Sequence, residues 1–206
     1  MPTDPESPMR LTRSHIQPAA ALLARAFAAD PLYRYLFPDP AQRDSLLLSF
    51  FNFRARFGIL YGEVYATSPA LEGIVVWLPS STPMNRWRLL RSGGFAFFTQ
   101  ASAETRQRMS NLMQFTSEMH HRQAPFPHWH LSPVAVDPAH QGKGLGGKLL
   151  RATLDQAERQ KLPCFLETQS ERNVAFYRRY GFEVVEVGTI PGTDLSHWTM
   201  LRQPGG

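Results

Sequence analysis

Cysteine is almost absent from this sequence. The chain of 206 residues has a single cysteine, Cys164, inside the apolar run PCFLE. One cysteine cannot form an internal disulfide, so we expect a small core residue and a reducing, cytoplasmic compartment. A metal-ligand spacing is missing as well, because nothing in the pattern makes His120, His121, His128 and His130 converge on one ion. The sequence predicts no metal site.

The beginning of the chain lacks any long hydrophobic run. Residues 1–8, MPTDPESP, carry two acidic residues and no apolar stretch. A secretion signal or a membrane span needs such a stretch, so we expect neither here, and no membrane partner. The sequence predicts a disordered tail over residues 1–8.

A concentrated basic patch is also lacking, although the chain is basic overall. Its 22 Lys and Arg against 17 Asp and Glu give a formal charge of +5, and the isoelectric point is near 9.7. No basic block alternates with aromatic residues, as it would in a nucleic-acid-binding surface. We therefore predict no nucleic-acid partner, and a mild attraction for anionic ligands such as a phosphorylated cofactor.

Apolar periodicity predicts helices and strands in mixed order. The expected helices are residues 17–29, 41–60, 86–98, 101–121, 147–160 and 173–180, and the expected strands are 63–67, 72–78, 129–136, 163–168, 182–187 and 196–201. With neither a linker nor internal repeats, this order predicts a single α/β or α+β domain over residues 9–206, with helices on the faces of a sheet.

Residues 79–127 form a long segment that carries a stripe of methionines among phenylalanines. The methionines are Met84, Met109, Met113 and Met119. Such a stripe is more typical of a core than of a binding surface, yet methionine also suits an adaptable pocket. The segment is therefore either core or the roof of a substrate site.

A glycine-rich turn, QGKGLGG, lies between a predicted strand and a predicted helix. Glycines let the backbone turn sharply, so that several N–H groups can converge on an anion. The helix dipole contributes only roughly 0.3–1 kcal/mol per charge, so the converging amides must supply most of the binding. Gln141 and Lys143 add a donor and a positive charge. The turn predicts an anion site.

This turn also matches a dinucleotide-binding pattern. Gly142, Gly144 and Gly147 satisfy G-x-G-x-x-G, and Glu167 stands 20 residues further on, where a ribose-binding acid belongs. Against a Rossmann domain, only 59 residues follow Gly147, too few for the remaining strands and crossovers. A P-loop is excluded because the sequence has no Gly-Lys-Ser or Gly-Lys-Thr.

Three sequence blocks resemble the GNAT superfamily of N-acetyltransferases. The superfamily signature is Gln or Arg, two residues, Gly, one residue, then Gly or Ala, and it is present as Gln141, Gly144 and Gly146 after LSPVAVDP. The FLET strand end and the RNVAFYRRYGF block follow in the order and spacing of the family. Over residues 129–206 the resemblance is closest to puromycin N-acetyltransferases, whereas the N-terminal half matches only loosely.

The resemblance implies a GNAT fold, in which a mixed, mostly antiparallel central sheet has splayed central strands and helices on both faces. It implies an acceptor-side half at residues 9–127, with a helical insertion at 79–127, and an acetyl-CoA-binding half at residues 128–206. Acetyl-CoA would lie between the splayed strands. Pro133 fits either a bulge at that gap or an ordinary strand entry, because proline cannot donate a ladder hydrogen bond.

By the same resemblance, three segments would contact acetyl-CoA. The strand before the turn would pair with the pantetheine arm, the turn amides would hold the pyrophosphate, and a short helix would touch the cofactor. The implied cofactor-binding residues are Val134, Ala135, Val136, Gln141, Gly142, Lys143, Gly144, Leu145, Gly146, Gly147, Asn173 and Phe176.

Amide formation from a thioester needs a neutral amine and a protonated leaving thiolate. An alkylammonium with a pKa near ~10.4 is neutral only about once in 10³ molecules at pH 7, so a base is useful. Glu167 is either this base, with a pKa raised by an apolar setting, or an anchor for the substrate ammonium. Tyr177 is the predicted acid, because the family places a tyrosine hydroxyl beside the thioester sulfur. The alternative for Tyr177 is a packed core aromatic.

The acceptor is the part of the prediction that the sequence constrains least. Tyr33, Phe37 and His130 are the candidate substrate contacts, although the aromatic residues could equally be core. The resemblance implies direct transfer, in a ternary complex, to the primary amine of a small molecule of antibiotic or xenobiotic type, by a monomer or homodimer. The alternatives are a protein or peptide amine and a non-catalytic acetyl-CoA-binding module.

Overall fold

The computed structural model describes residues 8–205 as one seven-stranded sheet flanked by eight α-helices. The strands are β1 (Met9–Arg10), β2 (Glu63–Ala66), β3 (Gly73–Pro79), β4 (Trp129–Val136), β5 (Cys164–Thr168), β6 (Glu183–Thr189) and β7 (Ser196–Arg202). The helices are α1 (Ile16–Phe27), α2 (Pro31–Leu36), α3 (Pro40–Tyr61), α4 (Arg86–Arg91), α5 (Gly94–Gln100), α6 (Ala103–Gln123), α7 (Leu145–Gln160) and α8 (Glu171–Arg178). None of these helices is long and apolar enough to cross a membrane. The tail predicted for residues 1–8 lies outside the described range except for Pro8.

Two aspartates begin consecutive helices in the N-terminal part. The Asp30 carboxylate accepts a hydrogen bond from the backbone N–H of Leu32 at 2.8 Å, and Asp39 accepts one from Ala41 at 2.9 Å. Each aspartate precedes a proline, which suits the first helical position because its missing N–H would have no partner there. The sequence pattern does not predict α2, since the prolines between residues 31 and 40 indicate a break.

The sheet is mixed and mostly antiparallel, as the sequence predicts. Its order is β1-β2-β3-β4-β5-β7-β6. Every neighbouring pair is antiparallel except β4 and β5, which run parallel. The single parallel pair lies in the middle of the sheet, so the two strands that flank the site are both central ones.

Helices cover both faces of this sheet, and the alternation of side chains along β3 makes this visible. Ile74 and Val76 belong to a hydrophobic cluster with residues of α1 and α3. Val75 and Trp77 belong to a second cluster with residues of α7 and α8. Because successive side chains of a strand point to opposite faces, the two clusters are two layers of core, one on each side of the sheet.

The parallel pair β4 and β5 is joined only at its beginning. Residues 129–131 pair with residues 164–166, and beyond Leu131 the two strands have no further paired positions. At the same place, Ser132 and Pro133 lie opposite the single residue Val76 of β3, which is a β-bulge. The splay of the central strands is therefore confirmed, and Pro133 lies in a bulge at the point where the gap opens.

The insertion between β3 and β4 is helical, as predicted, but its first helix is broken. The sequence pattern predicts one helix over residues 86–98, whereas α4 ends at Arg91 and α5 begins at Gly94. Gly93 has a φ of 78°, in the left-handed region that glycine adopts without penalty. The break turns α5 back toward α3, where Phe97 packs between Phe37 and Phe50.

Candidate active site

A cavity of about 590 Å³ lies where β4 and β5 separate. The strand ends, α2, α3 and the helical insertion all contribute to its wall, together with α8. The apolar part of the wall that comes from the insertion consists of Met84, Leu89, Phe98, Met109, Leu112 and Met113. The polar part includes Asp30, Arg54, His120, His130, Ser132, Glu167, Asn173, Tyr177 and His197. Polar groups with reactive potential are thus collected at the splay, beneath an apolar cover.

The predicted anion turn is open and its backbone is suited to an incoming group. Gly142 and Gly144 have φ values of 78° and 77°, and a Cβ built on either would meet nothing within 4 Å. Gly144 is also the N-cap of α7, so the first free N–H groups of that helix lie at the turn. Gln141 donates its amide to the Val136 carbonyl at 3.1 Å, and Lys143 is exposed beside it.

Gly146 brings the turn, the end of β4 and α8 together. A Cβ at this position would lie 3.6 Å from Val136 Cγ2, 3.8 Å from Phe176 Cζ and 3.9 Å from Val134 Cγ1. Four of the residues implied to bind the cofactor are therefore neighbours, and the absence of a side chain on Gly146 leaves room among them. Leu145 is half-buried at the start of α7, and Ala135 is buried with its side chain in the sheet core.

Two other residues of the implied cofactor set have a structural contact of their own. A Cβ on Gly147 would overlap the hydroxyl of Tyr180, so this glycine permits the close approach of α7 to Tyr180, two residues after α8. Gly147 is buried, unlike the glycines of the turn. Asn173 is exposed and donates its side-chain amide to the Thr168 hydroxyl at 3.3 Å, which ties α8 to the end of β5.

Glu167 lies in the cavity between two imidazoles. Its Oε2 is 3.8 Å from His130 Nε2, and its Oε1 is 3.5 Å from His197 Nε2. Burial raises the pKa of the Glu167 carboxyl, but the neighbouring His197, with His130 and His120, outweighs burial and leaves the pKa below its ordinary value. The expectation of a raised pKa is therefore wrong, because the setting of this carboxylate is polar rather than apolar.

The histidines form a chain with defined hydrogen positions. His128 donates from Nδ1 to the Phe126 carbonyl at 2.7 Å, so its Nε2 accepts a hydrogen bond from His120 Nε2 at 2.8 Å. The His120 ring stacks on Phe165 with centroids 4.5 Å apart. Burial lowers the pKa of His130 to about 4, so this imidazole is neutral at pH 7. Within residues 8–205, no group of three or more His, Cys, Asp or Glu side chains is placed to hold a metal ion.

Tyr177 lines the cavity from α8 and is almost completely buried. Its ring packs edge-on against Phe176 and Phe182, with centroids 5.1 and 5.8 Å away. Burial raises the pKa of its hydroxyl, which therefore keeps its proton at any physiological pH. Tyr177 is thus packed by aromatic rings and also faces the cavity, so the two interpretations of this residue are compatible.

The predicted substrate contacts do not all reach the cavity. Tyr33 and His130 line it. Phe37 is fully buried, with its ring packed against Phe50 and Phe97 at centroid distances of 6.1 and 6.0 Å. Phe37 is therefore a core residue and not a substrate contact, because its side chain is fully buried and does not line the cavity.

Several polar residues of the site are not predicted from the sequence. Arg54, on α3, donates to the Ser132 hydroxyl at 3.0 Å, beside the bulge of β4. His197, on β7, is buried and accepts from the Gln169 amide at 2.8 Å. The spacing of apolar residues on α3 and β7 marks both elements as core-facing, and it gives no signal that a charged or ionisable group faces inward.

The fold and a family model agree on the class of this protein. Residues 103–184 match the family model described as an acetyltransferase (GNAT) domain, and the sheet has the splayed central strands of the GNAT fold. The chain has the fold of GNAT-type N-acetyltransferases, a class that uses acetyl-CoA, and residues 103–184 match that domain in sequence. The open turn, the space at Gly146 and the gap between β4 and β5 fit that cofactor.

Relatives of known sequence and structure agree with this class. An uncharacterised N-acetyltransferase of Schizosaccharomyces pombe is 27% identical over 180 residues, which is 84% of this chain and 72% of the relative. The N-alpha-acetyltransferase RimI of Mycobacterium tuberculosis is 34% identical over 88 residues, 41% of this chain and only 54% of the relative. A Corynebacterium glutamicum structure, described as histone acetyltransferase HPA2 and related acetyltransferase, has 24% identity and a TM-score of 0.68, covering 97% of this chain and 98% of that one.

Proposed function

We propose that this protein transfers the acetyl group of acetyl-CoA directly to a primary amine of a small molecule held in the cavity. The observation that carries the proposal is the apolar cover that the insertion contributes to the cavity wall with Met84, Phe98 and Met113. Such a cover favours a compact acceptor with an apolar part over an extended chain. An acceptor of antibiotic or xenobiotic type rests on the sequence resemblance of residues 129–206 alone, and those blocks are mainly the ones that bind the cofactor.

The cofactor would be held by the residues that meet around Gly146. The free N–H groups of the turn and of the α7 N-terminus suit the pyrophosphate. The unpaired edge of β4 from Ser132 to Val136 suits the pantetheine arm, because its backbone groups on that side have no partner on β5. Acetyl-CoA supplies the activated acetyl thioester, and the remaining tasks belong to side chains of this chain.

Glu167 is proposed to bind the amine and to accept its proton. Within residues 8–205, Glu167 Oε1 is buried without a hydrogen-bond donor, so it can accept one from an incoming amine. The lowered pKa keeps this carboxylate ionised at neutral pH, which suits both the anchor and the base. Because a carboxylate with a low pKa is a weak base, binding and orientation are its larger contribution.

Tyr177 is proposed to protonate the leaving thiolate. Its hydroxyl holds a proton that burial makes difficult to lose to water, and it lies in the same cavity as Glu167. A thiol has an ordinary pKa of about 8.5, well below that of this phenol, so complete transfer would be uphill. The hydroxyl therefore acts mainly by donating a hydrogen bond to sulfur as charge develops, and when its proton passes to the thiolate, a proton from solvent replaces it on the phenol oxygen.

A protein N-terminus is the second candidate acceptor. Its support is the similarity to RimI, whose name states that it acts on α-amines. An N-terminal residue could enter the cavity with its α-amine at Glu167, provided that the following residues leave past the insertion. The apolar character of the wall at Met84 and Met113 favours this less than a small acceptor, because the backbone of a peptide would place polar groups against it.

An amine panel tests the proposal. Release of CoA thiol is measured with puromycin, polyamines, free amino acids and peptides as acceptors, with Glu167→Gln as the matched inactive control. Turnover of small amines above peptides supports the proposed function, and the reverse order selects the protein-acetylating alternative. Binding of acetyl-CoA without thiol release from any amine would show a non-catalytic module.

A further inference from the structure

A partly buried positive charge lies in the wall of the acceptor cavity. Arg54 extends from the middle of α3, directly after Phe53 and one helical turn after Phe50, and all three residues line the cavity. The two phenylalanines are buried, and Arg54 itself is only partly exposed. A guanidinium in such aromatic surroundings loses hydration, and the loss is large unless an anion offsets it.

Arg54 has little of that compensation within the protein. Among the residues that the structure describes, its one hydrogen bond goes to the Ser132 hydroxyl at 3.0 Å, although a guanidinium has five N–H donors. Over residues 8–205, no carboxylate oxygen lies within ion-pair distance of it. Glu167 stabilises the charged form only through longer-range attraction, and burial still lowers the pKa of Arg54. The cavity therefore offers a cation that lacks a counter-ion.

The position of this cation relative to Glu167 matters. Ser132, which accepts a hydrogen bond from the guanidinium, lies at the β4 bulge, and Glu167 lies on β5 just beyond the last residue that pairs with β4. A positive and a negative group thus face one cavity from opposite sides of the splay without touching each other. A ligand with an amine and a carboxylate on the same carbon atom could pair with both residues, the carboxylate with Arg54 and the amine with Glu167.

We propose that the acceptor is a free α-amino acid, with its carboxylate bound by Arg54 and its α-amine directed to Glu167. The inference rests on the proposed function and names its substrate class. The planar fork of arginine suits a carboxylate, which it can bind through two parallel hydrogen bonds. The apolar cover of Met84, Leu112 and Met113 selects a side chain that is long and apolar, as in phenylalanine, leucine or methionine. A polyamine, by contrast, would place a second cation near Arg54.

Three acceptors that share one side chain test this class. They are L-phenylalanine, L-phenylalaninamide and 2-phenylethylamine, and the measurement is kcat/KM for thiol release at saturating acetyl-CoA. The wild-type protein should use the acid at least about tenfold better than the other two. Arg54→Met should lower kcat/KM for the acid by about 10- to 100-fold, the range for a hydrogen-bonded charge, and change the amide and the amine by less than about threefold. Arg54→Lys keeps the charge but loses the planar fork of the guanidinium. Its kcat/KM for the acid should lie between those of the wild type and Arg54→Met.

The matched control is Arg34→Met, which removes the same charge from an exposed position on α2 that does not line the cavity. This variant should leave kcat/KM for all three acceptors unchanged. The KM for acetyl-CoA and the melting temperature report whether Arg54→Met is folded, and the wild-type series decides the question even where that variant is not. Ser132→Ala keeps the guanidinium but removes the hydroxyl that positions it. This variant should lower kcat/KM for L-phenylalanine and leave the other two acceptors unchanged.

The outcomes separate the inference from the function on which it rests. If wild type uses the amine and the amide as well as the acid, or if Arg54→Met slows all three equally, the amino-acid assignment is wrong while the acetyltransferase function stands. If none of the three acceptors, and no other amine, releases thiol although acetyl-CoA binds, the proposed function fails and the inference fails with it.

Discussion

His197 directs an N–H toward Glu167 because Gln169 fixes its ring. The Gln169 amide donates to His197 Nδ1 at 2.8 Å, so the hydrogen of the neutral ring is on Nε2, 3.5 Å from Glu167 Oε1. At that distance the contact is electrostatic rather than a short hydrogen bond. It favours the ionised carboxylate, and it leaves Oε1 free to accept a stronger hydrogen bond from an amine.

Replacing Glu167 by glutamine should therefore impair amine use without affecting the cofactor. The isosteric Glu167→Gln keeps the volume and removes the charge and the basic oxygen, so kcat/KM for the amine should fall by about 10²–10⁴-fold. Binding of acetyl-CoA, measured by calorimetry, should be unchanged because Glu167 is not among the residues around the turn. Glu158→Gln, at a surface carboxylate that pairs with Arg202, is the control. Equal turnover of Glu167→Gln and wild type would remove Glu167 from the mechanism.

Tyr177→Phe should slow turnover and spare cofactor binding. The hydroxyl is the only group that this substitution removes, and the buried ring still packs against Phe176 and Phe182. We expect kcat to fall by about 10²-fold or more, with little change in the melting temperature or in the dissociation constant for acetyl-CoA. Tyr180→Phe removes a hydroxyl from the same helix region and should leave kcat near wild type. Turnover of Tyr177→Phe at the wild-type rate would assign Tyr177 to packing alone.

Acid should destabilise the folded protein through His130. The unfolded chain protonates this imidazole near pH 6.5, whereas burial holds its pKa at about 4 in the folded protein. Between these values the unfolded state binds more protons, so the free energy of unfolding decreases as the pH falls, by up to about 1.4 kcal/mol per pH unit. Glu167, whose folded pKa is lowered, adds a loss in the same direction below its ordinary range.

Urea unfolding measured from pH 7.5 to pH 4.5 checks this dependence. The midpoint should decrease mainly below pH 6.5, and His130→Gln should flatten the decrease. His15→Gln is a control at a histidine of the N-terminal 3₁₀ turn, outside the cavity. A slope that His130→Gln leaves unaltered would place the destabilisation elsewhere, for example at His120 and His128, whose pKa values burial also lowers.

The parts of the fold that local chemistry determines could be predicted from the sequence. The strand before the turn is found at residues 129–136 as predicted, and α7 begins two residues before its predicted start. The glycines of the turn have the positive φ values that their pattern indicates. By contrast, α2 has only six residues and lies among prolines, so its capping aspartate is visible in the sequence but its apolar periodicity is too short to detect.

Which residues line the acceptor cavity together could not be predicted from the sequence, because their contacts join distant parts of the chain. Arg54 meets Ser132 across 78 positions, and the ring of Phe115 packs edge-on against His197. The sequence alone also could not show which aromatic residues of 33–37 line the cavity and which belong to the core. Tyr33 faces the cavity and Phe37 faces the core, although one helical turn separates them.

Two adjacent glycines at the start of α7, Gly146 and Gly147, should be needed for different reasons. At Gly146 an added Cβ would make only ordinary contacts, the nearest at 3.6 Å from Val136, but it would occupy the space between the turn and α8 where the cofactor fits. At Gly147 a Cβ would overlap the Tyr180 hydroxyl. On the proposed placement of acetyl-CoA, Gly146 leaves room for the ligand, whereas Gly147 allows α7 to pack against Tyr180.

Gly146→Ala and Gly147→Ala separate these two requirements. Gly146→Ala should keep the melting temperature and weaken acetyl-CoA binding by about 5- to 150-fold, the equivalent of the 1–3 kcal/mol that overpacking costs. Gly147→Ala should lower the free energy of unfolding by about 1–2 kcal/mol, since the overlap outweighs the helix preference of alanine. Adding Tyr180→Phe to Gly147→Ala should restore the free energy of unfolding, because the atom that then remains nearest to the new Cβ is a ring carbon at 3.4 Å. If Gly146→Ala binds acetyl-CoA as wild type does, the cofactor does not occupy the space beside Gly146, and the placement of the pyrophosphate at this turn is wrong.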